Sequence, residues 1–389
     1  MITLSSAENA LKSVYLGAVT ELLNTQVNPL MAKIEQTTSD VWGKEIRKAV
    51  SVGLNGGIGA GDEAGALPSA HGNNYMQFVS TLKNLYGQIE ISDKAIRASS
   101  DDRGAFTDLL NAELDGLLKA SRFNLGRMLY GDGSGKLCKL SELAYSGDAE
   151  LSVTDTRNLI EGMAIDICNN AGVFSNTNFR IAAVDRKQNK VKLNKPLTAN
   201  APASSFLYVQ GSKDKEIAGL GAIFNTDMPL YGVDRSTSSL LNPHIVTNAG
   251  AISEILIQEA IDAVETNSGS TIDFIAVSAD VKYAFQEYMS QYKRNIDIMN
   301  LDGGFKSLSF NGIPVVYDRF VPAGTMYMLD TSDFHLHQLC DWRFLETENG
   351  KILRQNQGYP TYTATLVKYC DLVCDRPNGQ AMLSGIVGN

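Results

Sequence analysis

Apolar and polar positions alternate strictly in three early runs. Residues 44–52 place Ile46, Val50 and Val52 on one side of a period-two pattern. Residues 75–79 (Tyr75, Met76, Gln77, Phe78, Val79) continue it, and residues 85–92 place Leu85, Ile89 and Ile91 between polar neighbours. A period of two predicts half-buried strands. Between the first two runs lies a stretch rich in Gly, Ala and Ser, from Gly53 to Asn74, with few large apolar side chains. Such a stretch cannot bury enough apolar surface to offset the entropy of ordering it. Inside a compact domain, a loop of that length is normally functional or disordered. The pattern predicts a long two-stranded arm whose glycine-rich tip carries Gly56, Gly57, Gly59, Gly61, Asp62 and Glu63. An isolated hairpin is marginal in water, so the arm is expected to find its partners on another copy of the chain.

Helical periodicity appears on both sides of the arm. Over residues 6–35, Leu11, Val14, Tyr15, Val19, Leu22 and Leu23 form an apolar stripe that Pro29 kinks or ends, which predicts an N-terminal limb. Over residues 101–130, Phe106, Leu110, Leu114, Leu117, Leu125 and Met128 share a face. Asp101 and Asp102 suit the positive end of that helix, and Arg122 and Arg127 suit the other. At ~1.5 Å per residue this spine would span roughly 45 Å, before Gly131, Gly133 and Gly135 break it.

Residues 152–211 change character. Short strands at 163–167, 179–184, 190–193 and 206–209 alternate with turns and predict a small inserted β-barrel. Its central hairpin is basic, with Arg186, Lys187, Lys190 and Lys192. It reads either as a solvated hairpin or as an electrostatic contact with an acidic neighbouring subunit. From residue 251 the pattern is mixed α/β. Helices are expected over 252–266 and after the capping residue Asp280. Strands are expected over 274–277, 305–310, 313–318, 326–330 and 361–373, with a last run at 381–386.

With 389 residues, 44% of them hydrophobic, the chain can bury sizeable cores and is long enough for two or three domains. Its formal net charge of -9 makes it a poor default binder of phosphate backbones. The five cysteines are odd in number and contain no CxxC, which fits reduced thiols in a cytoplasmic product. The N-terminus lacks a signal-peptide pattern, and no apolar run approaches the ~20 residues that span a bilayer. No membrane partner is expected.

Candidate chemistry is sparse. Gly59 to Ala64 matches a loose dinucleotide fingerprint, but Leu67-Pro68-Ser69 follows where a helix should begin. No phosphate loop, HExxH or GxSxG occurs. His335 and His337, with Asp333, would share one strand face and could converge on a metal, although a polar strand face is the simpler reading. Asp132-Gly133-Ser134-Gly135 resembles part of a calcium loop without the remaining ligands, and reads more simply as a helix terminator. No catalytic residue, cofactor or metal is assigned, and the chain is expected not to be an enzyme.

The order of parts carries more information than any motif. A helical limb and a glycine-rich hairpin arm precede a spine helix, a β insertion, an α/β region and a returning strand. The residues Arg103 to Asp108 through Leu129 to Gly133, Ser309 to Asp318, Val321 to Tyr327 and Thr361 to Leu366 resemble the spine helix, axial hairpin and peripheral strand of one family. That family is the major capsid proteins of tailed bacteriophages, with the Hong Kong 97-type fold.

The resemblance implies an α+β chain. Its N-terminal arm would cover 1–42, an extended β-hairpin arm 43–98 and a peripheral domain with the spine 99–151. The inserted β-barrel-like domain would cover 152–215, an axial α/β domain 216–355 and a return strand 356–389. It further implies hexamers and pentamers of the chain itself, tiling an icosahedral shell around double-stranded DNA held without sequence-specific binding. Portal and decoration proteins would be further partners, and assembly would take place in the host cytoplasm. Some family members join subunits by a lysine–asparagine bond from the arm. Here no lysine lies between Ala49 and Leu82, so no such cross-link is expected. The arm begins near Lys44, which leaves no room for a long cleaved N-terminal segment, so a separate scaffolding protein is expected. An encapsulin-type cellular shell is the alternative of similar fold, and a metal-dependent enzyme is the remaining one.

Overall fold

A computed structural model describes residues 28–53, 55–63, 65–94, 103–292, 298–300, 306–346 and 350–387. The expected helical limb over 6–35 lies mostly outside these residues. Its described end, Asn28 to Ile34, forms turns rather than helix, with Leu30 and Met31 buried.

The chain first forms β1 (Glu35–Thr37), β2 (Val41–Trp42), β3 (Glu45–Val52), β4 (Asn74–Thr81) and β5 (Lys83–Ser92). β2, β3 and β4 make a small antiparallel sheet, and β3 pairs with β4 along its whole length from Glu45↔Thr81 to Val52↔Asn74. The spine helix α1 follows at Arg103–Leu129. Leu114, Leu125, Met128 and Leu129 are buried on its inner face. It lies over β5 at Gly87, where an added Cβ would stand 2.8 Å from Leu117 Cδ1. Beyond it, Ser134 N–H and Oγ–H both donate to Asp132 Oδ1, and Gly133 and Gly135 adopt φ of +82° and +79°. The Asp-Gly-Ser-Gly run is therefore an Asx turn that ends the helix.

Six strands come next: β6 (Lys136–Lys139), β7 (Glu150–Ser152), β8 (Ala164–Cys168), β9 (Phe174–Asp185), β10 (Lys190–Leu193) and β11 (Phe206–Val209). They form one antiparallel sheet in the order β6-β11-β8-β9-β10-β7, around an apolar cluster that includes Leu151, Ile165, Phe179, Val191 and Leu207. Its two edges touch at a single bridge, Leu140↔Val153. Both edge strands begin before residue 152, the expected start of this unit. Lys136–Lys139 and Glu150–Ser152 are too short and too charged for alternation to reveal them.

The last part contains β12 (His244–Val246), β13 (Gly250–Ala251), α2 (Glu254–Ser268), β14 (Phe274–Val277), α3 (Ala279–Tyr292), β15 (Ile298–Asn300), β16 (Lys306–Phe310), β17 (Ile313–Tyr317) and β18 (Met326–Leu329). It ends with β19 (Phe334–Phe344), β20 (Arg354–Gln355), β21 (Thr361–Cys374), β22 (Ala381–Leu383) and β23 (Ile386–Val387). A mixed seven-stranded sheet runs β12-β22-β18-β14-β17-β16-β15. β14 is buried throughout, as a central strand should be. Ser253 caps α2 by accepting from Leu256 N–H, and Gly269 closes it at φ +70°.

A separate sheet joins β1, β19, β21 and β20, with β5 also paired to β21 over ten residues from Ser92↔Thr361 to Lys83↔Cys370. Two expected boundaries are therefore corrected. β19, from the expected 216–355 unit, pairs with β1 and β21 in this sheet, while β22, from the 356–389 segment, enters the seven-stranded sheet between β12 and β18. Strand pairings this remote in sequence leave no mark on local pattern.

Buried charges fasten the parts together. Arg127 on the spine makes a bidentate pair with Glu216, at 2.8 and 2.6 Å, with both side chains 3% exposed. Lys368, fully buried on β21, donates to Gln36 Oε1 at 2.8 Å and Asp341 Oδ1 at 2.9 Å. Arg235 donates only to carbonyls, those of Met228, Leu241, Ala222 and Ile223. Gly219 lets the chain cross the end of the spine, since a Cβ there would lie 2.4 Å from Leu129 O.

Candidate assembly surfaces: the arm and the basic hairpin

The arm divides into two unlike halves. Its base is part of the molecule's own core. Ile46, Val50 and Phe78 are buried in the principal apolar cluster, and Phe78 packs against the Tyr231 ring at 5.2 Å. Val79 N–H donates to Tyr231 O at 3.0 Å. Ser80 Oγ–H donates to Asp371 Oδ2 at 2.5 Å, and Lys48 reaches Asp375 at 2.7 Å. For this half the expectation that the hairpin needs another copy of the chain is corrected. β4 is covered by the 231 region and by the end of β21 from the same chain.

The outer half, 53–73, has no helix or strand among its described residues and is almost wholly exposed. Its two legs run side by side. A Cβ on Gly56 would meet the His71 side chain at 3.6 Å, one on Gly59 would meet Pro68 Cγ at 3.1 Å, and one on Gly61 would meet Ala66 O at 3.7 Å. Small residues permit that approach. Gly65 N–H donates to Asp62 O at the turn. Asp62 and Glu63 are exposed, and the large apolar side chains Ile58 and Leu67 are 87% and 90% exposed.

The basic hairpin is only partly free. Lys190 pairs with Glu150 at 2.8 Å across the strands, a hydrogen bond that raises its pKa. Arg186 donates to Thr156 O at 2.9 Å and Leu159 O at 3.1 Å. Lys187 and Lys192 are exposed. Two more arginines reach the same 155–159 loop: Arg157, whose Nε lies 3.0 Å from Asp155 Oδ2, and Arg319, which donates to Arg157 O at 3.3 Å. Arg319 stacks over Phe123 at 4.8 Å and Phe320 at 5.5 Å. Burial, and then the nearby Arg186 charge, lower the Arg319 pKa. Sequence reasoning missed this grouping because Arg319 belongs to the axial region, more than a hundred residues away.

The histidine pair does not assemble a metal site. The two rings stand 6.0 Å apart, and each faces groups of its own chain. His337 Nδ1 lies 2.8 Å from Ser39 O, while His335 lies 3.5 Å from both Glu35 and Asp375. Burial holds the His337 pKa below its usual value. Asp333 is in a short 3-10 turn and accepts from Ser270 Oγ and Gln380 Nε2. Among the described residues no group of three or more His, Cys, Asp or Glu side chains could hold a metal.

The model of the SU10 major capsid protein family matches residues 151–357, more than half of the chain. The chain belongs to this family of major capsid proteins. No curated protein matches the sequence. Among solved structures, the capsid asymmetric unit of cyanophage A-1(L) matches with a TM-score of 0.55 at 13% identity, covering 92% of this chain and 93% of that one. The capsid of the native GTA particle matches with a TM-score of 0.47 at 11% identity over 93% and 90%. The Gordonia phage Cozz structure gives 0.45 at 11% over 91% and 85%. This capsid protein has the Hong Kong 97-like fold expected from the order of its parts. It is a structural component of a virion shell built from copies of itself, and not an enzyme. Among its described residues no helix is long and apolar enough to cross a membrane.

Proposed function

We propose that this capsid protein closes an icosahedral shell of hexamers and pentamers around the double-stranded DNA of a tailed phage. The observation that carries this reading, given the family, is the outer arm. The described residues of 53–73 expose Ile58 and Leu67 and lack the own-chain cover that the base of the arm has. In this reading Gly56, Gly57, Gly59, Gly61, Asp62 and Glu63 lie on a neighbouring subunit, and the basic hairpin around Arg186, Lys187, Lys190 and Lys192 is a second contact. Each contact is modest, and closure makes many of them simultaneous. The formal charge of -9 suits a container that holds DNA without gripping it. A separate scaffolding protein, a portal and decoration proteins complete the particle, which is assembled in the host cytoplasm. No lysine lies between Ala49 and Leu82 to cross-link it.

The test is to purify particles containing this chain and treat them with nuclease. Closed shells retaining protected double-stranded DNA are expected. Shells holding one cargo enzyme and no DNA would transfer the chain to the cellular-compartment reading.

A further inference from the structure

We infer that the acidic tip of the arm, Asp62 and Glu63, docks on the arginine cluster Arg157, Arg186 and Arg319 of a second copy of this chain. The inference rests on the reading of the arm as an inter-subunit element and names its receptor.

Three guanidinium groups converge on the loop 155–159, while Asp155 is the acidic side chain paired within it. Arg186 spends two donors on carbonyls and Arg319 spends one. An arginine carries five, so each keeps donors directed at solvent, and both side chains are exposed. The groups repel one another, as the effect of Arg186 on the Arg319 pKa shows. A cationic cluster on a chain of net charge -9 suits an acidic partner. The Phe123 and Phe320 rings lie 4.8 and 5.5 Å from the Arg319 guanidinium and hold it in place, and a guanidinium can receive a carboxylate through two parallel hydrogen bonds.

The arm supplies a matching group. Between Lys48 and Lys83 the Asp, Glu, Lys and Arg side chains number just two, the adjacent Asp62 and Glu63, and both sit at the exposed turn. No lysine or arginine in that stretch neutralises them. The two carboxylates are thus presented at the end of a stiff two-stranded base, on legs made narrow by glycine. The cluster lies where the inserted sheet, the spine at Phe123 and the axial loop at Arg319 meet, so docking there would brace three parts of the neighbour at once.

The test is a charge swap, read by the yield of closed particles in negative-stain electron microscopy under conditions where the unaltered chain assembles. Asp62→Lys with Glu63→Lys alters only exposed side chains, and is expected to lower the yield at least tenfold. Arg319→Glu, which gives up one backbone hydrogen bond and the contacts with the Phe123 and Phe320 rings, is expected to do the same. Combining the three substitutions is expected to raise the yield above that of either variant but only in part, because Arg157 and Arg186 still repel the two lysines. Asp62→Asn with Glu63→Gln is expected to weaken assembly and reduce its dependence on salt. Deleting Gly56 to Gly65 separates the two claims. If the deletion abolishes shells but the lysine tip assembles normally, the arm remains inter-subunit and this receptor is wrong. If the deletion variant still forms shells, the arm reading falls as well. Normal closure by Arg319→Glu with loss of packaged DNA would assign the cluster to phosphate and overturn the inference.

Discussion

The two halves of the arm share one hairpin but obey different rules. At the base, the aromatic Phe78 is fully buried against Tyr231, and Lys48 and Ser80 are held by Asp375 and Asp371. At the tip, Ile58 and Leu67 lie open. The base is fixed by folding, and the tip is left for association. A chain that buried its whole arm would have nothing to offer a neighbour, and one that buried none would offer a floppy strand at high entropic cost. Ordering the base in advance lowers the cost of placing the tip.

The largest effect that bears on this division comes from outside the arm. Leu114→Asp puts a charge on the buried face of the spine that supports β5, and is expected to abolish folding altogether. A wild-type thermal melt for that variant would contradict the core assignment. Phe78→Ala empties the socket at the base of the arm and is expected to cost about 3–5 kcal/mol, measurable by denaturant unfolding. A cost near zero would erase the distinction between base and tip.

A smaller effect is expected from pH. Burial, reinforced by Asp330, lifts the Asp333 pKa to about 7. The folded chain therefore holds this proton more tightly than the unfolded chain does. Stability contributed by this group is present at low pH and is lost as pH rises from about 4 to about 7. Asp333→Asn should remove that slope, with a gain on the order of 2 kcal/mol at pH 8 and little change near pH 4. Melting curves at the two pH values check it, and an equal shift at both would contradict it. Asp318, raised to about 6, and Asp371 contribute slopes of the same sign, so the variant should flatten the profile only in part. The smallest effect is expected at the tip itself. Deleting Gly56 to Gly72 should change monomer stability by less than about 0.5 kcal/mol, and a larger loss would show that the tip has partners within its own chain.

Elements with strong local periodicity were legible in the sequence. The arm strands, the spine, the four central strands of the insertion and the helix over 254–268 follow from alternation or from a 3.6-residue stripe. The glycine-rich tip was legible as well, through the absence of large apolar residues. Pairing was not. Nothing near Glu35 announces that it lies beside His335, and nothing near Ala381 announces a place between β12 and β18. Buried charges were equally hidden. Arg127, Glu216 and Lys368 look like surface residues by type, and only the fold reveals the partners that make their burial tolerable. The arginine cluster belongs to the same class, because it is assembled by tertiary contact between segments that carry no common motif.

The most direct test of the division within the arm is amide hydrogen exchange, measured on the unassembled chain and again on closed particles. The amides of Glu45–Val52 and Asn74–Thr81 should be slow in both states, while those of 55–72 should exchange freely in the chain alone and slowly in the particle. Protection of 55–72 in the unassembled chain, or free exchange there in the closed particle, would contradict the account.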